Sequence, residues 1–126
     1  MRRVWLYLMI SVGVWASDAS MQMCIDNAKD ASQMRECISD EYTYQDYLLN
    51  KYYKIAMKRI FKEAKEELKK TQRAWIKYRD AKCDFESYES YGGTMMTTLY
   101  LDCMVEMTKQ RAKELRDIAY SDSYVR

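Results

Sequence analysis

Between Ser32 and Lys62 the apolar and aromatic positions Tyr42, Leu49, Tyr53, Met57 and Ile60 recur at helical spacing, and Asp46 falls in the same stripe. Ser32 is the expected N-cap of this helix, with Glu36 in its first turn. A second stripe, Leu68, Gln72, Trp75, Arg79 and Cys83, predicts a helix from about Ala64 to Ser87. The break between the two, near Lys62–Glu63, is weakly signalled, and one long helix through it is the alternative. YESYGG, Tyr88 to Gly93, is a clear turn. Thr94 can cap a third helix reaching Ala119, with Met104, Thr108, Arg111, Leu115 and Ile118 on its inner face. The tail SDSYVR reads as frayed. No run alternates as a strand would, so the expected fold is all-α: a small antiparallel three-helix bundle.

The second stripe poses a problem. It carries an amide and a guanidinium, Gln72 and Arg79, on the face that should be buried beside Trp75. Buried charge is tolerable only when paired and hydrogen-bonded. A hairpin turning near Lys62–Glu63 sets Arg79 opposite Asp46 and Trp75 opposite Asn50. On that register the polar residues are matched across the seam of a helix pair. The competing reading is a solvent-facing ligand site.

Composition supports helices joined by few turns: 126 residues with no proline and three glycines. The length suits one domain. The N-terminus reads as an export signal. Arg2 and Arg3 precede an apolar run from Trp5 to Trp15, and Val14-Trp15-Ala16 offers a cleavage site, so residues 1–16 are expected to be removed and 17–126 to form the domain. The run is shorter than the ~20 residues needed to span a bilayer, so no stable anchor is expected after cleavage. Losing Arg2 and Arg3 leaves 19 of the 21 basic side chains against 19 acidic ones. That balance argues against nucleic acid as a partner.

There is no histidine, and Cys24, Cys37, Cys83 and Cys103 form no CxxC pair. A zinc site is therefore disfavoured, and an even cysteine count in an exported chain reads as two disulfides. Three pairings are open. Cys83 and Cys103 lie equally far either side of Gly93, so a hairpin folded there brings them together. That favours Cys83–Cys103 with Cys24–Cys37. Cys37–Cys83 remains open, because the start of the first helix and the end of the second share one end of an antiparallel bundle.

Four pieces now fall in order: DYLLN (Asp46 to Asn50) followed by Tyr53, TQRAWIKYRDAKC (Thr71 to Cys83), GGT, and a late group of Cys103, Thr108, Arg111 and Leu115. This resembles the LprI-like lysozyme inhibitor family of exported bacterial proteins. Its pattern has a leading cysteine pair, a D..LN element, an AQ.AW..yR...C helix, a GGS-like turn and a late cysteine before T..R...L. Thr71 replaces the usual alanine and Thr94 the serine. The resemblance covers nearly all of residues 17–126. It implies a helical, periplasmic or secreted, non-enzymatic binding protein with lysozyme as a partner. The matching residues Asp46, Asn50, Gln72, Trp75 and Arg79 look fold-defining, so no inhibitory residue carries over.

The leading functional expectation is therefore a muramidase inhibitor protecting peptidoglycan, and the alternative is an immunity or accessory protein for another envelope enzyme. Lysozyme sites are concave and use two carboxylates. A projecting loop suits such a cleft, and Tyr88, Tyr91, Gly92 and Gly93 form the candidate partner loop. Glu86 and Glu89 would approach an acidic site unfavourably, and an ordinary helix-connecting turn is the plainer reading. An enzyme is disfavoured because no nucleophile–base pair emerges, and the expected catalytic set is empty. No cofactor or metal is expected. Met95, Met96, Met104 and Met107 would suit Cu(I), but methionine in a small helical core is the commoner arrangement.

Overall fold

The computed structural model describes residues 15–125. Residues 1–14 of the expected signal segment lie outside them. Four helices follow in order: α1 (Trp15–Asp26), α2 (Ala31–Arg59), α3 (Lys62–Ser87) and α4 (Met96–Tyr120), with a single 3-10 turn, Tyr88–Ser90, between α3 and α4. Among the described residues there is no strand. The expected all-α fold is present, but the three-helix count is corrected to four. The additional helix, α1, has no strong apolar stripe for periodicity to detect. It packs on α2 and is tied there by the Cys24–Cys37 disulfide.

Local chemistry sets the helix ends. Asp30, not Ser32, caps α2: its carboxylate accepts from the Gln33 N–H at 2.9 Å. Gln33 reciprocates by accepting from the Lys29 N–H, also at 2.9 Å, so two otherwise orphaned donors are satisfied together. Lys58 and Arg59 sit in the last turn of α2, where cations favour the helix dipole. The α2–α3 break falls at Ile60–Phe61, where both residues are extended, rather than at Lys62–Glu63. Thr94 is not the cap of α4; Met95 occupies that position without a side-chain bond.

The three long helices run up, down and up. α3 and α4 form an antiparallel hairpin, with Cys83 joined to Cys103 across it. α2 and α4 run parallel: Tyr42 and Tyr100, in their first halves, both pack on the Cys83, Cys103 and Met104 cluster, and Tyr52 meets Tyr120 edge-on, 6.2 Å between centroids, near their ends. α4 is the central element, packed on both α2 and α3. Its inner face, Cys103, Met104, Val105, Thr108, Arg111, Ala112, Leu115 and Ala119, is buried. Leu49, Ala56, Ile60, Leu68 and Leu115 form the main core, and a smaller cluster surrounds Cys83, Cys103 and Met104 near the turn.

The tail is less free than its composition implies. The Phe61 N–H donates to the Tyr124 carbonyl at 3.0 Å, and the Arg59 guanidinium donates to the Ala119 carbonyl and pairs with Asp122. These bonds fold residues 121–125 back over the α2–α3 junction.

Candidate functional site

Two places carry the residues singled out by motif: the polar seam of the bundle and the turn between α3 and α4. The seam accounts for a helix that buries an amide and a guanidinium.

Gln72 and Arg79 are both buried on α3. Among the described residues their hydrogen-bond partners come from α4 and from α3 itself, not from α2. Arg111 Nε donates to Gln72 Oε1 at 3.0 Å, and Arg111 Nη1 donates to Glu114 at 2.8 Å. Arg79 Nη1 reaches the fully buried Thr108 hydroxyl at 3.5 Å. Its Nη2 pairs with Asp80 at 2.9 Å. The guanidinium also lies 5.0 Å from the Trp75 ring centroid and 6.0 Å from that of Tyr42. It thus lies within reach of two aromatic faces, where the ring quadrupole attracts a cation. Burial raises the Tyr42 phenol above its ordinary 10.0, and the Arg79 charge pulls it partly back.

The expected Asp46–Arg79 pair is therefore corrected. Asp46 instead accepts from its own helix, taking a bond from Asn50 Nδ2. The cause is packing: α2 and α3 each pack on α4 and scarcely touch one another, and the α2 side chain that reaches Arg79 is the long aromatic Tyr42. Nor does Trp75 pair with Asn50: it is half-buried against the main core, and Asn50 is exposed.

Pattern reading also missed two seam residues. Glu41 and Gln45 are buried on α2, with Gln45 Nε2 donating to Glu41 at 2.8 Å. The buried face of α2 runs through Cys37, Ile38, Glu41, Gln45, Leu49 and Ala56, so Tyr42, Tyr53 and Met57 flank it, half-buried. The four-residue steps from Cys37 and Ile38 through Glu41 and Gln45 were the available signal. Two polar side chains concealed it.

Beside the seam, α2 and α3 diverge enough to leave a groove of about 340 Å³. Asp46, Asn50, Gln72 and Arg79 all line it. The motif residues are thus brought together around one groove even though they are not paired as expected.

The turn is different in character. Tyr88 and Tyr91 stack with centroids 5.3 Å apart and planes 8° from parallel. Both are exposed, Tyr91 at 75%, and neighbouring Phe85 is 79% exposed. Gly92 adopts φ +73°, a left-handed conformation that glycine takes at no steric cost. The Gly93 N–H closes the turn onto the Ser90 carbonyl at 2.8 Å. Glu86 is ion-paired with Lys82.

No group of three or more acidic or cysteine side chains able to hold a metal occurs among the described residues. Nor is any described helix long and apolar enough to cross a membrane.

Comparison with known proteins decides the family. The family model described as "Lysozyme inhibitor LprI" matches residues 24–115. This chain belongs to the LprI family. The match begins at the first cysteine and ends at Leu115, so it takes in both disulfides, the seam and the turn. The uncharacterized protein R02472 of Rhizobium meliloti (strain 1021) is 38% identical over 111 residues, covering 76% of this chain and 80% of its own length. The uncharacterized protein YecT of Escherichia coli (strain K12) is 26% identical over 114 residues, covering 79% of this chain and 70% of its own. No solved structure matches the chain.

Proposed function

We propose that this LprI-family chain is an exported, non-enzymatic protein that binds and inhibits a muramidase, shielding peptidoglycan in the periplasm or outside the cell. Membership of a family named for lysozyme inhibition supports the activity. Two disulfides in so short a chain support export, and on this reading residues 1–16 are the removed signal and 17–126 the working domain.

The observation that carries the choice of surface is the exposed aromatic pair Tyr88–Tyr91 at the closed end of the α3–α4 hairpin. Stacking restricts both rings before any partner arrives, which lowers the ordering cost of binding. Exposed aromatic residues are the type that anchors interfaces, and Phe85 and Met95 extend the apolar surface on either side in the chain. The Lys82 ammonium offsets Glu86, leaving Glu89 as the carboxylate that must tolerate an acidic cleft. Gln72, Trp75 and Arg79 are engaged within the bundle and stand outside the proposed contact.

The test is inhibition of purified lysozymes of several structural classes by the oxidised protein. Stoichiometric loss of muramidase activity in at least one class supports the reading. A folded, oxidised protein that leaves every class untouched favours a role as an immunity or accessory protein for a different envelope enzyme.

A further inference from the structure

The groove between α2 and α3 has unspent hydrogen-bonding capacity of opposite kinds on its two walls. On the α2 wall, Asn50 Nδ2 donates to the Asp46 carbonyl at 2.9 Å and to Asp46 Oδ2 at 3.3 Å. Those bonds leave Asn50 Oδ1 and Asp46 Oδ1 without a hydrogen-bond partner among the described residues. Two planar acceptors thus stand one helical turn apart. On the α3 wall the surplus is in donors. Arg73 is exposed, lines the groove and makes no hydrogen bond or ion pair among the described residues. Lys69 is held by Glu66 at 3.3 Å, an exposed pair that competes weakly with an incoming anion. Leu49 and Ile76 give the groove an apolar part, and Tyr53 adds an aromatic surface.

A ligand matching both walls must offer hydroxyl donors to Asp46 and Asn50 and an anion to Arg73 and Lys69. Inorganic phosphate in its ionised forms leaves the acceptors largely unsatisfied, and a neutral sugar leaves the cations unpaired. A sugar ring carrying a carboxylate meets both demands and has an apolar face for Tyr53. The groove's 340 Å³ lies at the small end of ligand sites and suits one or two rings. We propose that this groove is a binding site for a carboxylated sugar. The site lies along the mid-section of α2 and α3, separate from the Tyr88–Tyr91 turn, and does not depend on the muramidase reading. If both hold, the chain can be retained on a carboxylated glycan while its turn engages a protein.

The test is a backbone-amide NMR titration of the oxidised protein with N-acetylmuramic acid and, in parallel, N-acetylglucosamine, which has a free 3-hydroxyl in place of the 3-O-lactyl ether and so lacks its carboxylate. Expected are saturable shifts confined to α2 around Asp46–Tyr53 and α3 around Lys69–Ile76. Binding of N-acetylglucosamine should be about tenfold weaker, the scale of one lost charge-assisted hydrogen bond. Arg73→Ala should weaken N-acetylmuramic acid by a similar factor, and Asn50→Ala should weaken both sugars. Both side chains are exposed, so neither variant should unfold the bundle; Lys70→Ala, on the outer face, is the control. Absence of saturable shifts in the millimolar range, shifts centred elsewhere, equal affinity for the two sugars, or unchanged binding by Arg73→Ala would each overturn the proposal. So would a diglutamate peptide binding as well as N-acetylmuramic acid, which would assign the groove to acidic peptides. None of these outcomes bears on lysozyme inhibition, which is measured without free sugar.

Discussion

Arg111 of α4 donates to Gln72 of α3 at 3.0 Å across the hairpin seam, and both side chains are buried. The bond joins two positions of the family motif and accounts for an amide on an inner helical face. Gln72→Leu keeps the volume near native but removes the acceptor, leaving Arg111 Nε unpaired in the interior. Destabilisation of about 1–3 kcal/mol is expected by chemical denaturation. A double-mutant cycle with Arg111→Met should return a coupling of at least ~0.5 kcal/mol.

Arg79 is held by Trp75, Tyr42, Asp80 and Thr108, with Asp46 taking no part. A cycle between Asp46→Ala and Arg79→Ala should therefore show no coupling beyond ~0.5 kcal/mol, the ordinary error of additivity. Arg79→Lys retains the charge but loses the planar group that lies over the Trp75 and Tyr42 rings, and should still destabilise by about 1–2 kcal/mol. Stability of Arg79→Lys equal to that of the parent would refute the aromatic contact.

The two disulfides should differ in consequence. Cys83 is buried and ties the α3–α4 hairpin, closing a loop with a sequence separation of 20 residues, so replacing Cys83 and Cys103 by alanine should cost about 3 kcal/mol. Cys24 is exposed and ties down α1, which packs on α2. Loss of Cys24–Cys37 should release α1 while the other helices persist. Hydrogen exchange checks this: protection should vanish in 17–26 and survive in α4. Mild thiol treatment should open Cys24–Cys37 first, because an attacking thiolate needs access to sulfur.

Tyr91→Ala should weaken inhibition of a susceptible lysozyme by about thirtyfold, the effect of removing an aromatic anchor worth ~2 kcal/mol. Its thermal stability should remain within a degree or two of the parent, since the ring is exposed. Gly92→Ala offers a separate check on the turn. Nothing lies within 4 Å of a Cβ added there, so any cost comes from the positive φ, at about 1–2 kcal/mol. Full inhibitory potency in Tyr91→Ala would move the contact surface elsewhere.

What the sequence determined by itself was whatever depends on short-range spacing. The α3 stripe of Leu68, Gln72, Trp75, Arg79 and Cys83 was legible because helical periodicity is local. The symmetry of Cys83 and Cys103 about Gly93 was legible because a tight turn sets the register of the hairpin it closes. The motif pieces from Asp46 to Leu115 carried the family in the same way. Tertiary structure decided the rest. Packing of α2 and α3 on α4 instead of on each other removed the expected Asp46–Arg79 pairing and left Tyr42 as the α2 side chain near Arg79. Placing α4 between α2 and α3 supplied Thr108 and Arg111 as the partners of the buried polar groups. α1 escaped detection because a covalent tie to Cys37 fastens it, in place of an amphipathic face. Partner choice in a bundle depends on the packing of helices distant in sequence, and periodicity within one helix carries no record of that.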